Sequence, residues 1–185
     1  MRPLVDYLVA RTGPPAPSGL AYDYVLAGDG LYLAARSDAP EMRVPVARAT
    51  VRGLPPLHPS CALTAGRLPW ELWDAIVAAA GSAAATAREV VLAIVRDEAA
   101  GYHLVRPPQA TGRTAVLYRP VAGAVLEIHS HHRMPARFSP TDDADERGLR
   151  LYGVVGLLGT ARPEVALRAG AYGHFLALPW ETVFE

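Results

Sequence analysis

The sequence predicts an α/β fold: a mixed, mostly antiparallel sheet flanked by helices, preceded by a β-rich N-terminal extension. Three observations predict it. Apolar runs of strand length recur along the chain, bounded by Gly, Pro and Asp. One long stretch of helical periodicity interrupts them, and a Ser-Pro helix start appears late. Apolar residues make up 51% of the 185, which supports a core for one domain or one domain with an appendage.

The elements follow in order. "GPPAPSG" at 13–19 is a turn-rich lead-in. "YDYVLAGDGLYLAARS" holds two apolar runs meeting at Gly28-Asp29-Gly30, a hairpin signal. "EMRVPVARATV" adds a third strand, which Pro45 demotes to an edge. "GLPPLHPS" then breaks the pattern. Three short strands bury little alone, so residues 1–60 are expected to pack as an extension on a main domain of residues 61–185. In that domain Trp70, Trp73, Ile76, Val77 and Ala80 stand at helical spacing, which predicts a helix over 70–87 with that stripe toward the core. Strands are expected over 89–95, 102–106, 114–118 and 124–131. A short helix begins at Pro140, and "RLYGVVGLLG" reads as a buried strand whose glycines allow close packing. A last hairpin, 165–171 with 174–178, turns at Tyr172-Gly173.

Composition limits the function classes. Eighteen basic and eighteen acidic residues give a formal net charge of zero, so there is no electrostatic case for nucleic acid or an acidic membrane surface. Every basic residue is arginine. With Ala, Gly and Pro abundant, we read the absence of lysine as compositional bias rather than function. The single cysteine, Cys61, excludes an internal disulfide and suits a reducing compartment. Asp6 interrupts the N-terminal apolar run, which is not a signal peptide, and no apolar run approaches the ~18 residues of a membrane span. A soluble, cytoplasmic protein is expected. HExxH, P-loop, G-x-S-x-G and dinucleotide signatures are absent.

The chemistry concentrates in one span. His129-Ser130-His131 is followed by seven residues and then Ser139-Pro140-Thr141-Asp142, giving H-x-H-x7-S-x2-D. Such a pattern arises by chance on the order of 10⁻⁴ times in a chain of this composition. Side chains alternate faces along a strand, so His129 and His131 project together, and Asp142 could return a third ligand. Two nitrogens and a carboxylate, with one position open, is the ligand count of a catalytic zinc site rather than a closed structural one. Ser139 would stand beside that open position. The same residues also read as a helix cap, with Ser139 at the N-cap, Pro140 first in the helix and Asp142 completing a capping box. The two readings are compatible, because a capped helix start would hold Ser139 and Asp142 rigidly.

These residues resemble the JAMM/MPN+ family of JAB-domain zinc metalloproteases. The likeness covers about the last two-thirds of the chain, from near Leu68. The run "LEIHSHHRMPARFSPTDDADERG" is most similar to the prokaryotic branch found in bacterial PRTRC cassettes, which also encode a ubiquitin-activating-like enzyme. The resemblance implies an α/β core, one Zn²⁺ on His129, His131 and Asp142, oxyanion stabilisation by Ser139, and cleavage of amide bonds after the C-terminal tail of a ubiquitin-like protein. One departure is His132, where many members carry Pro. RadC-like proteins share the spacing but usually carry Pro-Ser-Gly after the second His, which Arg133 and Met134 do not match.

Such an enzyme needs a base to take a proton from water. In the family this is a Glu well upstream, at the start of a strand following a helix, and Glu89 fits. Glu127 competes, since it alternates in phase with His129 and His131. Glu98 is a weaker candidate, within an apparent hairpin turn. His132 would point away from the ligands, as a supporting or substrate-contacting residue. His58, His103 and His174 read as ordinary histidines, and Arg133 and Arg137 as loop arginines that could meet an acidic or C-terminal substrate segment. Two alternatives stay open: a zinc hydrolase of another acyl or sulfur-carrier substrate, and a non-catalytic interaction module on the same fold.

Overall fold

Residues 3–113 and 116–185 are described by the computed structural model of the chain. Its N-terminal sheet runs β1 (Val5–Val9), β2 (Tyr22–Ala27), β3 (Gly30–Arg36), β4 (Pro40–Arg48) and β5 (Ser60–Leu63), in chain order. The β2–β3 hairpin turns at Gly28-Asp29-Gly30 as the sequence predicts. A side chain at Gly28 would strike the Leu54 carbonyl, so the turn depends on glycine there. Two strands of this sheet escaped the sequence reading. β1 pairs parallel to β2, although its burial does not alternate cleanly. β5 has only four residues, below the length at which alternation can be read. The expected edge position of β4 is corrected: it lies between β3 and β5. β5 pairs only with Pro40–Arg43, however, so the side of β4 away from β3 has no β5 partner at Pro45. The missing N–H therefore breaks no β4–β5 ladder bond.

The helix α1 (Trp70–Ala85) follows. Its buried stripe is Ile76, Ala80 and Ala83. Trp70 is not part of it. It stands 49% exposed and meets Trp180 edge-on, with ring centroids 5.4 Å apart, while Leu72 and Trp73 of the same turn pack against the core.

The larger sheet is built from β6 (Val91–Asp97), β7 (Gly101–Val105), β10 (Ala124–Ser130), β11 (Leu149–Gly156), β12 (Glu164–Ala171) and β13 (His174–Leu178), in the order β13-β12-β11-β10-β6-β7. Only β10–β11 is parallel. Between β7 and β10 lies a small hairpin, β8 (Gln109–Thr111) with β9 (Val116–Tyr118). The expected strand over 114–118 is seen from Val116, and its first two positions lie outside the described residues. The parallel pair requires a crossover, and that connection carries the short helix α2 (Pro140–Asp145). A last turn, α3 (Trp180–Val183), closes the chain. The fold is thus strand-rich α/β with mixed sheets and little helix.

Strand alternation divides the larger sheet into two faces. Leu92, Ile94, Leu126, Ile128, Leu151, Val155, Leu167 and Ala169 face a core that also holds Ile76 and Ala80 of α1 and Leu33, Ala35, Met42 and Val44 of the N-terminal sheet. Residues 3–60 therefore pack on the rest through a shared apolar layer, and β5 straddles the expected boundary at 60/61. The opposite face carries Glu127, His129, Tyr152 and Arg168. Glu127 pairs with Tyr152 and Tyr152 with Arg168 across three strands. A polar row on an inner strand calls for a functional explanation.

Candidate metal centre

His129 is the last residue but one of β10, on this polar face, and His131 follows just past the strand. Their Nε2 atoms are 3.1 Å apart. His131 Nδ1 lies 3.3 Å from the Pro135 carbonyl, an arrangement that places the proton on Nδ1 and leaves Nε2 as a free lone pair. Ser139 caps α2 reciprocally. Its N–H donates to Asp142 Oδ2 at 2.6 Å, and the Asp142 N–H donates to Ser139 Oγ at 3.3 Å. That division leaves Asp142 Oδ1 directed at His129 Nε2, 3.5 Å away. All three ligand atoms lie within 4.8 Å of one another. A tetrahedral ion with bonds of ~2.0–2.1 Å separates its ligand atoms by about 3.3 Å, and the two shorter separations bracket that value. The cluster could therefore hold a metal ion, and the donor set fits one. Burial holds the His129 imidazolium down to about 4, against the pull of Asp142, so the ring is neutral and ready to ligate at neutral pH.

The loop between the ligands is fastened to the end of β11. His131 N–H donates to the Val155 carbonyl at 2.8 Å, Leu157 N–H to Met134 at 2.8 Å and Leu158 N–H to His132 at 2.6 Å. Gly156 permits this approach: a methyl group there would stand 2.3 Å from the Met134 oxygen and 2.5 Å from the Ala136 nitrogen. Gly156→Ala should push the loop off β11, cost about 1–3 kcal/mol of stability and weaken metal binding at least tenfold. Thermal unfolding and metal titration check this, and an unchanged affinity would show that the loop does not govern the ligands.

Glu89 reaches the same place from upstream. β6 runs antiparallel to β10 with Val91 opposite His129, and continuing that register puts Glu89 opposite His131 on the polar face. The approach is locked on several sides. Ser130 Oγ accepts from Val90 N–H at 3.0 Å, Ser130 N–H donates to the Val90 carbonyl at 3.0 Å, and Glu89 N–H donates to Gly112 at 3.0 Å. The Gln109 side chain bonds both backbone groups of Val91, at 2.9 and 2.8 Å. Glu89 is only 7% exposed. Burial raises its carboxyl, with His131 opposing and Asp142 adding, the direction that makes a carboxylate a better proton acceptor.

The other candidates fall into place. Glu127 is buried on the same face, its Oε2 2.9 Å from Arg150 Nη1. Glu98 is exposed in the β6–β7 turn, at the far end of β6 from Val91 and roughly 20 Å of strand away, so it is corrected as a base. His132 takes a left-handed conformation (φ 45) because the strand has ended, and it does not line the cleft. His58, His103, His174 and Arg133 also lie outside it, whereas Arg137 lines it.

Sequence reading missed Arg168. This β12 residue is 7% exposed and lies between the Phe138 and Phe175 rings, 3.8 and 3.7 Å from their centroids. Its Nε donates to Glu146 at 2.8 Å and its Nη1 to Asp143 at 2.5 Å. It thus ties down the face of α2 that Asp143 and Glu146 share, next to Asp142. No local signal marks it, since its partners lie more than twenty residues upstream. Burial outweighs Arg168 at Glu146 and pushes that carboxyl up to about 7. The folded state then holds this proton more tightly than the unfolded chain does. Its contribution favours folding at low pH and is lost as pH rises through about 7. Metal-free protein should therefore lose more unfolding temperature between pH 5 and pH 8 than Glu146→Gln does, and parallel pH profiles would contradict this. His129 shifts with the opposite sign but is common to both proteins and cancels.

The site opens into a cleft of about 710 Å³. Five carboxylates line it, from Glu89, Glu127, Asp142, Asp145 and Glu146, against one arginine, Arg137. Met134 and Leu117, 51% and 77% exposed, stand on its walls. No helix among the described residues is long and apolar enough to cross a membrane. No protein-family model matches this chain, and no curated protein is found that matches it.

Proposed function

We propose that this chain is a zinc-dependent amide hydrolase of the JAMM/MPN+ kind, which cleaves isopeptide or peptide bonds after the C-terminal tail of a ubiquitin-like protein. The observation that carries the reading is the convergence of a buried carboxylate, Glu89, on a three-ligand cluster in an open cleft. One oxygen and two nitrogens with room for a further ligand is the donor set of a catalytic rather than a structural zinc site. The substrate class rests on the motif's resemblance to that family. A ubiquitin-activating-like enzyme of the same system is the partner it suggests.

His129, His131 and Asp142 would hold the ion. Bound zinc supplies Lewis acidity and makes water acidic enough to be deprotonated near neutral pH. Glu89 takes that proton as the water oxygen bonds to the amide carbon. Ser139 Oγ accepts the Asp142 N–H and keeps its own proton to donate to the developing oxyanion. Glu89 then delivers the proton to the departing nitrogen as the C–N bond breaks. A flexible extended tail could reach the site by adding a strand to a sheet edge. The test is cleavage of a fluorogenic amide on a Gly-Gly-tailed ubiquitin-like protein by zinc-loaded protein. Turnover lost on chelation and restored by zinc is expected. No cleavage across a panel of such conjugates by zinc-loaded protein would overturn the substrate assignment.

A further inference from the structure

The chain ends a strand at Pro107-Pro108 where β6 still needs a neighbour. β10 lies on one side of β6. On the other side β7 stops at Val105, opposite Ala93. Continuing that register brings Pro107 opposite Val91, and proline has no N–H to donate. Ser130 N–H bonds the Val90 carbonyl, so the backbone groups of Val91, one residue on, point away from β10. Val91 is 4% exposed. Its N–H and C=O are therefore buried on the side that β7 has left, where they require partners.

The Gln109 side chain fills that place. Its Oε1 accepts from Val91 N–H at 2.9 Å, and its Nε2 donates to the Val91 carbonyl at 2.8 Å. The same Nε2 donates to the Pro107 carbonyl at 3.0 Å. A carboxamide offers one acceptor oxygen and two N–H donors, and all are engaged. It stands in for the peptide group that Pro107 cannot supply. Glutamate would keep the shape but set a carboxylate oxygen against two carbonyls, and asparagine would fall one methylene short. The consequence reaches the metal centre. Glu89 lies two residues before Val91 on the same face, and both line the cleft. Glu89 N–H donates to the carbonyl of Gly112, which follows directly on β8, the strand that Gln109 begins. The other bond from this hairpin to the start of β6, among the described residues, is the exposed Arg88–Thr111 pair at 3.4 Å.

We infer that Gln109 is a positioning residue: by replacing the missing strand beside Val91, its carboxamide holds Glu89 against the metal ligands. The effect on catalysis rests on the proposed hydrolytic reading, but the brace itself does not.

Gln109→Leu removes the three bonds at similar volume, and Gln109→Glu serves if that variant fails to fold. Backbone amide exchange, followed by NMR on the full chain as purified, reads the brace without turnover. The amides of Val91 and Glu89 should exchange roughly tenfold faster or more in the variant. That of His131, bonded to Val155 across β11, should not change. Acceleration at Val91 alone, or at neither residue, would overturn the inference. Kinetics of zinc-loaded protein give the second readout. With zinc content unchanged, kcat should fall about 10–100-fold, since a displacement of ~1 Å is enough for that. In a Glu89→Ala background the same substitution should change kcat by less than about twofold, because the group it positions is gone. An equal loss in both backgrounds, or a rise in KM at constant kcat, would assign Gln109 to the fold or to the cleft wall and overturn the inference. Failure of the hydrolytic reading looks different: the wild type turns over no conjugate, while the exchange pattern at Val91 and Glu89 stands and leaves the brace.

Discussion

On the proposed hydrolytic reading, Glu89→Ala should retain the metal and lose turnover by about 10²–10⁴-fold, the range expected when a positioned general base is removed. The separation of effects follows from geometry. The ligand atoms belong to His129, His131 and Asp142, and none of the bonds that orient them involves the Glu89 carboxylate. The backbone around Glu89 is fixed by Ser130, Gly112 and Gln109, so truncating the side chain leaves the strand in place. Removing a raised, buried carboxylate relieves a desolvation cost, and stability is unchanged or slightly higher. Metal content, melting temperature and kcat measured on one preparation check all three. Turnover within twofold of wild type would move proton transfer to Glu127, the other buried carboxylate in the cleft.

Arg168→Met should be the most damaging substitution outside the ligands. It deletes the cation that ties α2 to β12 and leaves Glu146 buried without its partner. Breaking a buried ion pair from one side costs about 3–5 kcal/mol, or roughly 10 °C of melting temperature in a domain of this size. Asp143 is 55% exposed and contributes little to that cost. The loss is largest above pH 7, where Glu146 is ionised, and smaller at pH 5, where it is neutral. Metal affinity falls too, because the helix that carries Asp142 loses its anchors at the adjacent Asp143 and at Glu146. Adding Glu146→Gln to Arg168→Met should recover part of the stability, since it removes the stranded charge. A melting temperature and metal affinity equal to wild type in Arg168→Met would show that the capping box alone positions Asp142.

How much of this was legible depends on distance along the chain. His129, His131, Ser139 and Asp142 fall within fourteen residues, and local rules suffice: strand alternation brings the histidines together, and a capping box turns Asp142 toward them. Glu89 lies forty residues upstream. Periodicity gives no register between β6 and β10, so nothing local pairs it with His131, and only a family resemblance pointed to it. Arg150 and Arg168 stayed hidden for the same reason. Each looks like an ordinary charged residue in a strand until β11 and β12 put it beside Glu127 and Glu146. Among the elements, the β2–β3 and β12–β13 hairpins were readable because their turns carry glycine at the required places. The strands β1, β5 and β8 were not, being too short or too weakly alternating. Trp70 and Pro45 misled because each obeys a local rule that its neighbours override.

The most direct test of the central claim is a competitive zinc titration of metal-stripped protein, wild type beside His131→Ala, with bound metal counted per chain. One tightly bound zinc in the wild type, absent or at least 100-fold weaker in the variant, is the result the three-ligand centre predicts. No stoichiometric zinc in the wild type, or the same affinity in both proteins, would contradict it.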